Sequence, residues 1–212
     1  MSFIKKARLS VGSSKAGDEH LEKRILLLGL DNAGKTSLLF HIRDNQFKET
    51  VPTVGLNIEH IQYKRYSLTF WDVGGQATKL WKHYFDHIDA VVFVVDSTDE
   101  ERLFLAKDEL RRLLSGPSAT NNKTQSTGAG SSNSGSSQVG EGLGDVPFLL
   151  FYNKKDMGPA SKSSEELNGR LEIENLRKDQ GRQILIQETS AMTGAGIWEG
   201  IDRLLVMFET PV

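Results

Sequence analysis

"LLLGLDNAGKTSLLF", residues 26–40, decides the fold. An apolar run stops at Gly29, four flexible or polar residues follow, and Gly34, Lys35 and Thr36 open a second apolar stretch. The spacing is G-x-x-x-x-G-K-[ST], with strand-like sequence before it and helix-like sequence after it. Gly29, Asp31, Asn32, Ala33, Gly34, Lys35, Thr36 and Ser37 are therefore candidate phosphate-binding residues. Main-chain amides turned inward by such a loop meet the positive end of the following helix, and together they favour an anion. Lys35 is placed to reach β- and γ-phosphates, and the Thr36 hydroxyl to ligate Mg²⁺.

Outward from this loop, four apolar runs read as buried strands: "RILLLGL" from Arg24, "AVVFVVD" from Ala90, "VPFLLFYN" from Val146 and "QILIQETS" from Gln183. Unbroken apolar character suits parallel strands covered on both faces. Helical spacing follows in "GKTSLLFHIRD", in "EERLFLAKDELRRLL" with Leu103, Ala106, Leu110 and Leu113 in phase, and in "GIWEGIDRLLVMF". Two β-rich runs meet at Lys64 and Arg65 and predict a hairpin that adds an antiparallel edge. The expected fold is α/β: a mostly parallel six-stranded sheet with one antiparallel edge strand and helices on both faces.

A 212-residue chain that is 38% hydrophobic and 25% charged suits one domain with a sizeable core. A net charge of −2 gives no bulk attraction to nucleic acid, and none is expected as a partner. The absence of cysteine excludes disulfides, thiolate metal sites, prenylation and palmitoylation. No apolar run approaches the roughly 20 residues of a membrane span, and the start lacks a secretory signal. A cytoplasmic monomer is expected. Residues 1–20 read as an N-terminal tail and 21–212 as the nucleotide-binding domain. Within the latter, the Ser/Gly-rich stretch 115–146 reads as a flexible insert with almost nothing to bury. The five histidines form no recognisable metal set.

Further motifs specify the ligand. In "FYNKKD", Asn153, Lys154 and Asp156 follow a buried strand, where open α/β sheets bind ligands. The Asp156 carboxylate can accept from guanine N1–H and the exocyclic amine, whereas adenine would leave it unpaired. Lys154 would cover the base and Asn153 would brace the loops. "ETSAMTG" supplies Ser190 and Ala191, whose N–H is placed to donate to guanine O6. In "WDVGGQ", Asp72 would hold Mg²⁺ through water, Gly75 would bring its N–H to a γ-phosphate, and Gln76 would orient attacking water. Thr53 in "VPTVG" would complete the Mg²⁺ shell when a γ-phosphate is present. Gln76, Lys35 and Gly75 are the candidate catalytic residues.

"GLDNAGKTSLL", "VPTVGLNIE", "WDVGGQ", "LWKHYF", "VVFVVDSTDEERL" and "NKKD", in this order, resemble an Arf-like member of the Arf family of small GTPases. The resemblance implies a switch that binds GTP or GDP with Mg²⁺, slowly hydrolyses GTP, and serves membrane or vesicle trafficking. It also implies a hairpin that shifts register between the two states, and three kinds of partner: an exchange factor, a GTPase-activating protein and effectors. Some features depart from the pattern. Ser2 replaces the glycine needed for N-myristoylation. "SFIKKARLSV", residues 2–11, would put Phe3, Ile4, Ala7 and Val11 on one helical face, enough for weak and reversible contact with an intracellular membrane. "ATKLWKHYF", after Gln76, is shorter than the family's usual link and lacks its acidic residue and arginine. Two alternatives stay open: a GTP-dependent interaction module with little hydrolysis, and a P-loop kinase, which would have no use for the Asn153–Asp156 motif.

Overall fold

The computed structural model describes residues 20–76, 78–114, 143, 146–180 and 183–209. The expected tail helix at 2–11 and nearly all of the 115–146 insert lie outside these residues. The strands are β1 (Leu21–Leu28), β2 (Leu56–Tyr63), β3 (Tyr66–Val73), β4 (Ala90–Asp96), β5 (Phe148–Asn153) and β6 (Ile184–Glu188). They form one sheet in the order β2-β3-β1-β4-β5-β6, in which only the β2–β3 pair is antiparallel. This is the expected α/β fold, a mostly parallel six-stranded sheet with one antiparallel edge strand. The hairpin turns at Lys64, whose φ of 53° is left-handed, and pairs Tyr63 with Tyr66.

The helices are α1 (Lys35–Asp44), α2 (Leu103–Leu114), α3 (Ser164–Arg170), α4 (Ile173–Gln180) and α5 (Ile197–Glu209). Alternation along each strand divides the core in two. Ile25, Leu27, Val92, Val94, Leu149 and Phe151 face α1 and α5, which contribute Leu38, Leu39, Ile201 and Leu204. Leu26, Leu28, Val91, Phe93, Leu150 and Tyr152 face the opposite layer, with Leu103, Ala106, Leu110 and Leu113 of α2. Central strands buried on both faces leave no room for polar alternation, which accounts for the unbroken apolar runs.

The order of the strands positions the site. Neighbouring strands β1 and β4 are followed by chain that departs to opposite faces, through α1 and α2. A crevice results beyond their carboxyl ends, the usual place for a ligand in an open α/β sheet. Among the described residues of 115–146, two depart from the reading that the stretch has almost nothing to bury: Leu143, and the half-buried Val146, which packs against the same α2-side core. Leu143 is buried in the α2-side core, and its N–H donates to the Leu113 carbonyl at 3.4 Å.

Candidate functional site

The loop from Gly29 to Gly34 carries β1 into α1, whose first-turn amides have no acceptor within the helix. Gly34 has φ 94°, and a Cβ there would stand 2.4 Å from Asn153 Nδ2. No other residue fits. The buried Lys35 ammonium donates to the carbonyl oxygens of Gly29 at 2.8 Å and Leu30 at 2.9 Å. Burial lowers its pKa to about 8, against the opposing pull of Asp72 and Asp31.

Three oxygens meet beside it. Thr36 Oγ1 donates to Asp72 Oδ2 at 2.7 Å and lies 2.7 Å from Thr53 Oγ1, which is itself 3.5 Å from Asp72 Oδ2. Asp72 Oδ1 is buried and has no hydrogen-bond partner among the described residues. Burial raises the Asp72 carboxyl above its ordinary range, opposed by the Thr36 hydrogen bond and Lys35. Two hydroxyls and a buried carboxylate with an uncommitted oxygen suit a hard divalent cation such as Mg²⁺. The donor set fits that ion.

Gly75 closes this part of the site. A Cβ there would come within 2.3 Å of the Asp31 backbone nitrogen and 2.7 Å of the Gly29 carbonyl, so only glycine brings the loop this near. The preceding Gly74 N–H donates to the Gly55 carbonyl at 2.9 Å, and the buried Trp81 indole N–H donates to the Gly74 carbonyl at 3.3 Å. The segment after Gln76 is thereby anchored by Trp81, while Gln76 itself is exposed at the cleft.

Opposite lies the segment after β5. The fully buried Asn153 donates from Nδ2 to the Ala33 carbonyl at 2.9 Å. Its Oδ1 accepts from the Ala191 N–H at 3.0 Å and from Thr189 Oγ1 at 3.4 Å. Asn153 thus joins the phosphate loop to both segments expected to hold the base. The Ala191 N–H, read from sequence as a donor to guanine O6, is directed here at Asn153. Asp156 Oδ1 accepts from Ser190 Oγ at 2.5 Å, which turns the carboxylate. Lys154 Nζ is 2.6 Å from Asp96 Oδ2, which fixes the lysine across the mouth of β4.

Asp31, Asn32, Gly34, Lys35, Thr36, Ser37, Thr53, Gly75, Gln76, Asn153, Lys154, Asp156 and Ala191 all line one cleft of about 410 Å³. That volume suits a small-molecule ligand. Gly29, Ala33, Asp72 and Ser190 stand behind the lining and act through the contacts above. The sequence reading missed three supporting residues. Asp96 is the last residue of β4 as Asp72 is the last but one of β3, and that parallel was the available signal. His41 Nδ1 lies 3.0 Å from the Ala191 carbonyl; since a carbonyl only accepts, that nitrogen carries the hydrogen. Arg102 reaches Asp31 from the turn after β4. Nothing local in sequence marks either of these last two.

The chain and its fold resemble known proteins. A model of the ADP-ribosylation factor family matches residues 10–124 and 138–208, interrupted only within the Ser/Gly-rich insert. Among solved structures, the Arl6 BBS3 small GTPase from Trypanosoma brucei, with bound nucleotide analogue GppNp, superposes with a TM-score of 0.67. The two share 30% sequence identity over 89% of this chain and 98% of that one.

Proposed function

The chain belongs to the ADP-ribosylation factor family, and from that membership we propose that it is a guanine-nucleotide switch that binds GTP and GDP with Mg²⁺ and slowly hydrolyses GTP. The observation that carries the proposal is the single cleft lined by both the Lys35–Thr36 loop and the Asn153–Asp156 segment. A phosphate-only site has no use for the second, and a base-only site none for the first. The GppNp held by the trypanosome relative supports the same ligand class.

In this reading Asp156, turned by Ser190, accepts from the guanine edge while Lys154 covers the ring. Amides of residues 31–37 and the Lys35 ammonium grip the phosphates. Thr36 and Thr53 would hold Mg²⁺ directly and Asp72 through water; when bound, the ion neutralises charge on the β- and γ-oxygens. Gly75 presents its N–H to the γ-phosphate, and Gln76 orients a water. The water oxygen bonds to the γ-phosphorus as the bond to the β–γ bridging oxygen breaks, releasing GDP and phosphate. An arginine from an activating protein would accelerate the step by roughly 10³–10⁵.

Loss of the γ-phosphate removes the ligand contacts of Thr53 and Gly75, and the loops around them then reorganise. Val51 and Val54, on either side of Thr53 in sequence, expose 84% and 97% of their surface and offer apolar side chains to effectors that read the closed loop. An exchange factor would act on the same loops. The proposal includes a cytoplasmic place of action, a role in vesicle traffic and weak membrane contact through residues 2–11.

Purine selectivity tests the central claim. In calorimetry, wild-type protein should prefer GDP to ADP, and Asp156→Ala should cut that preference by at least about 100-fold. An unchanged preference would overturn the assignment.

A further inference from the structure

Arg102 sits in the short turn between β4 and α2 and holds the phosphate loop at two points. One guanidinium nitrogen donates to Asp31 Oδ1 at 3.0 Å, and the other terminal nitrogen to the Asp31 carbonyl at 3.3 Å. Asp99 fixes the arginine from behind, accepting from Nε at 2.6 Å and from its backbone N–H at 3.2 Å. Asp31 lines the cleft, and its carboxylate is near enough to the Lys35 ammonium to favour the charged amine. A Cβ at Gly75 would stand 2.3 Å from the Asp31 backbone nitrogen.

A carboxylate in that place is a liability. It carries the same sign as the phosphates expected beside it, and with 41% of its side chain exposed it is only partly screened by water. We propose that Arg102 is a positioning residue that neutralises Asp31 and holds the phosphate loop in shape, so that a nucleoside triphosphate can sit beside an acidic side chain. The inference rests on the nucleotide reading of the cleft. The arginine acts through Asp31 and does not touch the nucleotide. Its effect grows with ligand charge, so the triphosphate depends on it more than the diphosphate does.

The test is a charge series on the full chain: wild type, Arg102→Gln, Asp31→Asn and the double variant. The readout is the release rate of fluorescent GDP and of a fluorescent non-hydrolysable GTP analogue. Arg102→Gln should speed release of the triphosphate analogue about fivefold to tenfold, and the diphosphate less, with the excess shrinking at high salt. Asp31→Asn should slow triphosphate release, and the double variant should fall between the two single ones. Should Arg102→Gln fail to fold, the slowing by Asp31→Asn still decides the matter, and faster release there would overturn the proposal. A double variant as fast as Arg102→Gln would also overturn it, because the arginine would then act on the nucleotide directly. Wild-type protein that binds both ligands while all variants release them alike sinks this inference alone. A wild type that binds neither sinks the nucleotide reading with it.

Discussion

Gln76 is exposed at the cleft, but the residues before it are firmly set: Gly75 against Asp31, and Gly74 between Gly55 and Trp81. A side chain on so fixed a backbone can hold a water in place, and that is its proposed task. Gln76→Leu keeps the backbone and removes the amide. Single-turnover phosphate release with an activating protein should then fall at least about 100-fold, while GTP binding persists. Unchanged turnover would reject the role, and a wild type that never releases phosphate would favour the interaction-module alternative. At this scale, legibility followed locality. Lys35, Thr36 and Asp72 were readable because a loop and a strand end place them by their own spacing. The bracing by Asn153 was readable too, since its side chain follows a buried strand. The partner of Ala191 was not, because two loops approach only once α1 and β6 are packed. Arg102 meets Asp31 across 71 residues of sequence, and only the order of the strands brings them together.

The four apolar runs became β1, β4, β5 and β6, and the hairpin turned where Lys64 and Arg65 interrupt its β pattern. Helices α3 and α4 escaped the sequence reading. They have 7 and 8 residues, and among the described residues α3 buries only Leu167 and α4 only Ile173 and Leu176, too few to sustain a helical period. Their signal is the cap: the Ser163 side chain accepts from the Glu166 N–H, three residues on. The tip of the hairpin docks on α5. Tyr63 stacks on Trp198 with ring centroids 4.1 Å apart, Lys64 pairs with Asp202 at 2.5 Å, and Arg65 with Glu209 at 2.8 Å. The ion pairs are exposed and contribute little; the stack is the stronger tie, at about 0.5–1.5 kcal/mol. Trp198→Ala should therefore raise amide exchange at residues 61–66 by about threefold to tenfold, with little change at residues 25–28 of β1. Equal exchange in both proteins would show that pairing with β3 alone holds the tip. If the hairpin shifts in the nucleotide cycle, this contact is one that the shift must break.

On the scale of the whole molecule, one sheet carries two cores, and the long insert leaves and rejoins the chain at the α2-side core. Leu114 ends α2 inside that core, and Leu143 returns to it beside Leu113. The excursion thus begins and ends on buried residues that are not part of the cleft lining. Residues 125–137, which the family match passes over, contain no apolar side chain larger than the methyl of Ala129. Nothing in that stretch can add to the core, and halving a loop changes its closure entropy by only about 0.6 kcal/mol. Leu143 is different, because truncating a buried leucine costs about 2–5 kcal/mol. The two changes separate the tether from the chain it carries. Deleting residues 125–137 should leave the GDP-bound melting temperature unchanged or slightly higher, while Leu143→Ala should lower it by several degrees. The residues that line the cleft are untouched by either change, so purine preference should survive both. A deletion that melts as early as Leu143→Ala would mean that the Ser/Gly stretch holds the fold through contacts its composition does not suggest. A harmless Leu143→Ala would mean that the α2-side core closes without that side chain.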